Sequence, residues 1–62
     1  MAIEKYKLVI DAEVSGELVG KGFKLVDIVP SFRYKDRLVF VFLNSQELEA
    51  ELTNYDSSTY YK

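Results

Sequence analysis

Five stretches of the chain carry a regular pattern of apolar and polar side chains. In the first, Ile3–Ile10, residues Tyr6, Leu8 and Ile10 alternate with Lys5, Lys7 and Val9, the two-residue period of a strand. Val9 is the one apolar residue on its polar side. The second, Asp11–Lys21, has helical spacing, with Val14 and Leu18 one turn apart and Ser15 and Val19 likewise. Asp11 suits the N-cap because its carboxylate can accept from free backbone N–H groups, and Glu13 lies where the helix dipole favours negative charge. Lys21–Gly22 reads as the stop, a cation followed by a residue that accepts positive φ. Gly16 and Gly20 share one face of this helix, a placement that suits close packing on a sheet. The segment is too polar for their GxxxG spacing to act as a membrane dimer motif.

The third stretch, Phe23–Val29, is a strand with Phe23, Leu25, Asp27 and Val29 on one side, ended by Pro30. The fourth, Arg37–Leu43, is apolar on both faces: Leu38, Phe40 and Phe42 on one, Val39, Val41 and Leu43 on the other. That composition marks a central strand. The link Pro30–Asp36 makes an antiparallel hairpin of the two. The fifth stretch, Ser45–Tyr55, is a helix with Leu48, Leu52 and Tyr55 as its apolar stripe. Asn44 and Glu47 have the spacing of a capping box; Glu47 and Glu51 flank the stripe, and Glu49 is expected to look outward. Asp56–Lys62 is a polar tail with Tyr60 and Tyr61, either frayed or folded back through its tyrosines.

The expected fold is therefore α+β: strand-helix-strand-strand-helix, a three-stranded sheet with two helices packed on one face. With 62 residues it is one domain at most. Such a domain buries only about 60% of its unfolded surface. The chain has no cysteine, so neither disulfides nor thiolate metal sites support it. Good packing or self-association must do so. A hydrophobic share of 48% argues against disorder. Residues 1–10 carry Glu4, Lys5 and Lys7 and lack the apolar run of a signal peptide. The longest apolar run, Leu38–Leu43, is far short of the ~20 residues of a membrane span. The cytoplasm is the expected compartment, and no membrane partner is expected.

The runs LVGKGFKLVDI (Leu18–Ile28), RLVFVF (Arg37–Phe42) and LNSQELEAELTNY (Leu43–Tyr55) resemble a family of small uncharacterised proteins from bacteria and their phages. In that family a helix ends in a Lys-Gly-aromatic turn, and a hairpin leads into an acidic helix. The resemblance covers Tyr6–Tyr55. The family pattern carries a further helical stretch where this sequence has the tail after Tyr55. The resemblance implies a phage or mobile-element setting, in which the partner would be a host protein. It implies nothing about mechanism.

Candidate chemistry is sparse. There is no histidine to serve as a base near neutral pH, and no serine can join a Ser-His-Asp arrangement. No phosphate-binding loop surrounds Lys21–Gly22. Glu47 and Glu51, a turn apart, read as a solvated rim rather than as ligands for a hard cation. No enzyme, cofactor or metal is expected. The net charge of −2 disfavours general binding of nucleic acid.

Charge is unevenly spread, however: residues 21–37 carry net +3, and residues 44–62 carry net −3. Within the basic part, Phe32, Arg33, Tyr34, Lys35 and Arg37 interleave aromatic and cationic side chains at the hairpin tip. If extended, Phe32 and Tyr34 lie on one side and the cations on the other. This composition suits a protein partner, since Tyr and Arg dominate hot spots. It also suits single-stranded nucleic acid, where bases stack on rings, or simply a hairpin whose charges face water. The opposite charges of these two segments permit a head-to-tail or two-fold contact between copies, so a homodimer or a self-assembling structural protein is a further alternative.

Overall fold

A computed structural model describes residues 4–61 of the chain. It has a three-stranded antiparallel sheet and two helices in the expected order: β1 (Tyr6–Val9), α1 (Ala12–Gly20), β2 (Leu25–Pro30), β3 (Leu38–Leu43) and α2 (Gln46–Leu52). A short 3-10 turn, Ser57–Thr59, follows. The sheet order is β1-β3-β2, so the doubly apolar strand is central. Ile3 and Lys62, the outer limits of the first and last sequence segments, lie outside the described residues.

Local chemistry explains the boundaries. The Asp11 carboxylate accepts from the N–H groups of Glu13 (2.9 Å) and Val14 (3.0 Å) and starts α1. At its far end Gly22 adopts φ +95°, and the Phe23 N–H reaches back to the Leu18 carbonyl at 3.1 Å. Gly16 and Gly20 do not pack on the sheet as expected. Both are exposed, and a Cβ on either would meet nothing within 4 Å. Val14, Ser15 and Leu18 form the buried face of α1 instead. The cap of α2 is Ser45, not Asn44: its hydroxyl accepts from the Leu48 N–H at 3.1 Å. Asn44 donates to Glu49 at 2.7 Å, so Glu49 turns inward rather than outward. The α-helix ends at Leu52, and i→i−3 bonds carry the chain on to Tyr55.

The core lies between the sheet and the two helices. Val9, Val14, Leu18, Phe42, Leu48 and Leu52 are buried in it, with Phe23, Leu25, Phe40, Tyr55 and Tyr60 at its margin. The two faces of β1 are the reverse of the pattern reading. Lys7 lies opposite Phe42 and Val9 opposite Phe40, both toward the helices. Val9 is 0% exposed, whereas Leu8 is 37% exposed on the other face. Lys7 is tolerated inside because its ammonium reaches Glu49 at 3.2 Å and lies 5.8 Å from the Tyr60 ring.

The tail folds back along β1. Ile10 N–H donates to the Thr59 carbonyl (2.8 Å), and Tyr61 N–H donates to the Leu8 carbonyl (2.9 Å). Tyr60 pairs with Val9 and joins the core. The outer edge of β1 is thereby covered from Leu8 onward.

Candidate functional site

The helices cover one face of the sheet. On the other, Tyr6 and Leu8 of β1 lie across from Leu43 and Val41 of β3, and Val39 lies across from Val29 of β2. Tyr6, Leu8 and Leu43 are exposed there. β3 is thus apolar on both faces; the helices cover one, and on the other Val39 is buried while Leu43 stays exposed. At the hairpin end this open face dips into an apolar groove of about 250 Å3. Leu8, Val29, Pro30, Val39 and Tyr61 line it, with Phe32 and Arg33 at its rim. Val39 is the buried floor, and Phe32 is fully exposed.

The hairpin tip is not extended, so the expected separation of aromatic and basic sides does not form. Ser31 Oγ accepts from the N–H groups of Arg33 (3.2 Å) and Tyr34 (3.3 Å), which bends the chain after β2. A turn then closes with Arg37 N–H on the Tyr34 carbonyl at 3.0 Å. These bonds divide the five candidate residues. Phe32 and Arg33 border the apolar groove. Tyr34 and Arg37 stack with a guanidinium-to-ring distance of 5.5 Å and line a separate cleft with Asp11 and Thr59. Lys35 sits in the turn between the pairs. Leu8, Val29, Val39 and Tyr61 are members of the groove that the tip sequence did not suggest. The signal for them was the second apolar face of β3.

The free edge of the sheet is β2, and it is blunted. Ser31 N–H bonds to the Arg37 carbonyl at 3.0 Å, so position 31 faces β3. By alternation, positions 28 and 30 face outward. Position 30 is proline, with no N–H to offer, and the Ile28 N–H is taken by Asp27 Oδ1 at 2.8 Å. A register shift between Leu25 and Asp27 distorts the same edge. Bulges, proline and charge at an edge all oppose strand addition, so a partner reaches this sheet more readily through its face.

Two polar clusters tie the layers together away from the groove. Lys7, Glu49 and Asn44 join β1 to α2; the Asn44 amide, with the Lys7 ammonium second, holds the Glu49 carboxyl below its ordinary range. At the other end Lys21 bonds Glu51, and the Tyr55 hydroxyl donates to Glu17 at 2.9 Å. The Glu51 hydrogen bond raises the Lys21 pKa. Glu51 is therefore engaged by a cation rather than paired with Glu47. Among the described residues no three His, Cys, Asp or Glu side chains come together as a metal site. None of the described helices is long and apolar enough to cross a membrane. No protein-family model, curated protein or solved structure matches the chain.

Proposed function

We propose that this chain is a small non-catalytic interaction module that binds a protein partner through the Phe32 groove. One observation carries the reading: a fully exposed phenylalanine stands at the mouth of a 250 Å3 apolar groove. Burying such a ring is worth about 1.5–3 kcal/mol, so Phe32 has much to gain from a partner. Arg33 beside it at the groove supplies a cation suited to an acidic surface. Aromatic and arginine side chains at the centre of a pocket are the usual anchors of protein interfaces. The absence of histidine and cysteine from the sequence supports a role without catalysis. The resemblance of Tyr6–Tyr55 to small bacterial and phage proteins supports a host protein as the target.

Single-stranded nucleic acid is the weaker reading. Stacking needs a run of free rings, but Phe32 and Tyr34 diverge, and Arg37 lies against the Tyr34 ring. The test is a photo-crosslinking residue at position 32, with a second at Val19 on the exposed side of α1 as control. The expected result is a protein adduct at position 32 and none at 19, lost when Arg33 is replaced by Ala. Adducts confined to nucleic acid, or equal adducts at both positions, would refute the proposal.

A further inference from the structure

Resting on that reading, we infer that the Phe32 groove takes a short acidic stretch of a partner protein, with one large apolar side chain seated in the groove and a neighbouring carboxylate on Arg33. Size and lining are the first support. The groove holds about 250 Å3, less than the about 300–1,000 Å3 of sites built for small molecules, so it suits a single side chain. Leu8, Val29, Pro30 and Val39 give it walls without a side-chain donor or acceptor. A nucleotide base would leave its ring nitrogens and exocyclic groups unpaired against them. A leucine or phenylalanine side chain brings nothing to pair, and the fully exposed Phe32 ring at the rim gains burial from it.

Charge complementarity is the second support. Arg33 is the charged residue at the groove, and no carboxylate lines it. Among the described residues the ion pairs are Lys7–Glu49 and Lys21–Glu51, neither of which involves Arg33. Asp36, the acidic residue of the tip, lines a different cleft with Asp11 and Glu13. A guanidinium fork matches a carboxylate with two parallel hydrogen bonds.

The backbone is the third. At this end of the sheet Pro30 lacks an N–H, and the Leu8 carbonyl already accepts from the Tyr61 N–H at 2.9 Å. A partner strand finds a poor ladder to extend here, so side chains carry the recognition.

Amide chemical shifts of the intact, isotope-labelled chain, titrated with acetyl-Glu-Leu-Phe-Glu-amide to millimolar concentration, test this. The shifts should fall on Leu8, Val29, Phe32, Arg33 and Val39 and spare Val19 on the exposed side of α1. The peptide with Gln in place of both Glu should bind more weakly by about three-fold or more, the scale of an exposed ion pair. Arg33→Glu should weaken the acidic peptide by a similar factor and favour acetyl-Lys-Leu-Phe-Lys-amide over it, with the rest of the spectrum unchanged. No shift at the groove, equal binding of the acidic and Gln peptides, or tighter binding of a single-stranded oligonucleotide to the same amides overturns the inference. So does a concentration-dependent shift of these amides without peptide, which would mark a second copy as the occupant. If any of these results accompanies a protein adduct at position 32, this inference falls while the interaction-module reading stands. If neither a peptide shift nor a protein adduct is seen, both fall.

Discussion

The reversal of β1 gives the sharpest test of the fold. Its alternation places Leu8 with the apolar side and Val9 with the polar side, whereas the structure buries Val9 completely and leaves Leu8 37% exposed. Substituting a charge at each position separates the two. In Val9→Asp the new carboxylate enters the cluster of Val14, Leu18, Phe42, Leu48 and Leu52, and Lys7 on the same face is already engaged by Glu49. Burying an unpaired ion costs several kcal/mol even after relaxation. A domain of this size has about 3–5 kcal/mol of stability in all, so the variant should be unfolded in water. In Leu8→Lys the four-carbon stem lies over the same apolar surface that Leu8 covers, and the ammonium reaches water from the open face. The loss should be about 1 kcal/mol or less, because only the partial burial of Leu8 is given up. The assay is urea unfolding followed by far-UV circular dichroism at micromolar concentration. A cooperative transition in Val9→Asp, or a greater loss in Leu8→Lys than in Val9→Asp, would refute the placement of β1.

Two further outcomes follow from the same structure. Gly16→Ala should stabilise the domain by up to about 1 kcal/mol, since the site is helical and has open space for a methyl group. Gly22→Ala should cost about 1–2 kcal/mol, because φ +95° is strained for any L side chain; urea midpoints that move together in both variants would contradict this. The folded Glu49 carboxyl titrates below its ordinary value, owing to Asn44 first and Lys7 second. Its contribution is therefore fully present above the unfolded Glu pKa and is lost as pH falls through the lower folded value. Glu49→Gln should flatten the acid limb of stability against pH, and slopes parallel to wild type would remove Glu49 as a cause; Asp56, lowered by the Ser58 N–H, acts in the same direction.

The class and order of the elements were legible because they rest on local rules. Asp11 caps α1 with its own carboxylate, Gly22 supplies the positive φ that ends the turn, and the doubly apolar Leu38–Leu43 demands a central place. Those effects reach only a few residues along the chain, so the sequence alone determined them. The leucine stripe of α2 was legible for the same reason, and Leu48 and Leu52 are core residues. The choice between Asn44 and Ser45 as its cap was not. Asn44 donates to Glu49 instead, and Glu49 is held there by Lys7 of β1, which reaches it only in the folded chain.

Tertiary structure decided which face of each strand is inner. Val9 and Lys7 point inward because Tyr60 and Glu49 arrive there from the distant tail and from α2, giving Lys7 both a counter-charge and a cover. No count of alternating residues within Ile3–Ile10 contains that information. The groove is of the same kind. Its rim residues, Phe32 and Arg33, could be named from composition, but its floor joins Leu8, Val39 and Tyr61 from three separate parts of the chain. Pairing across the sheet and the return of the tail bring them together. A site assembled by long-range contacts has no contiguous trace in the sequence beyond one hint, the second apolar face of β3 that the helices leave uncovered.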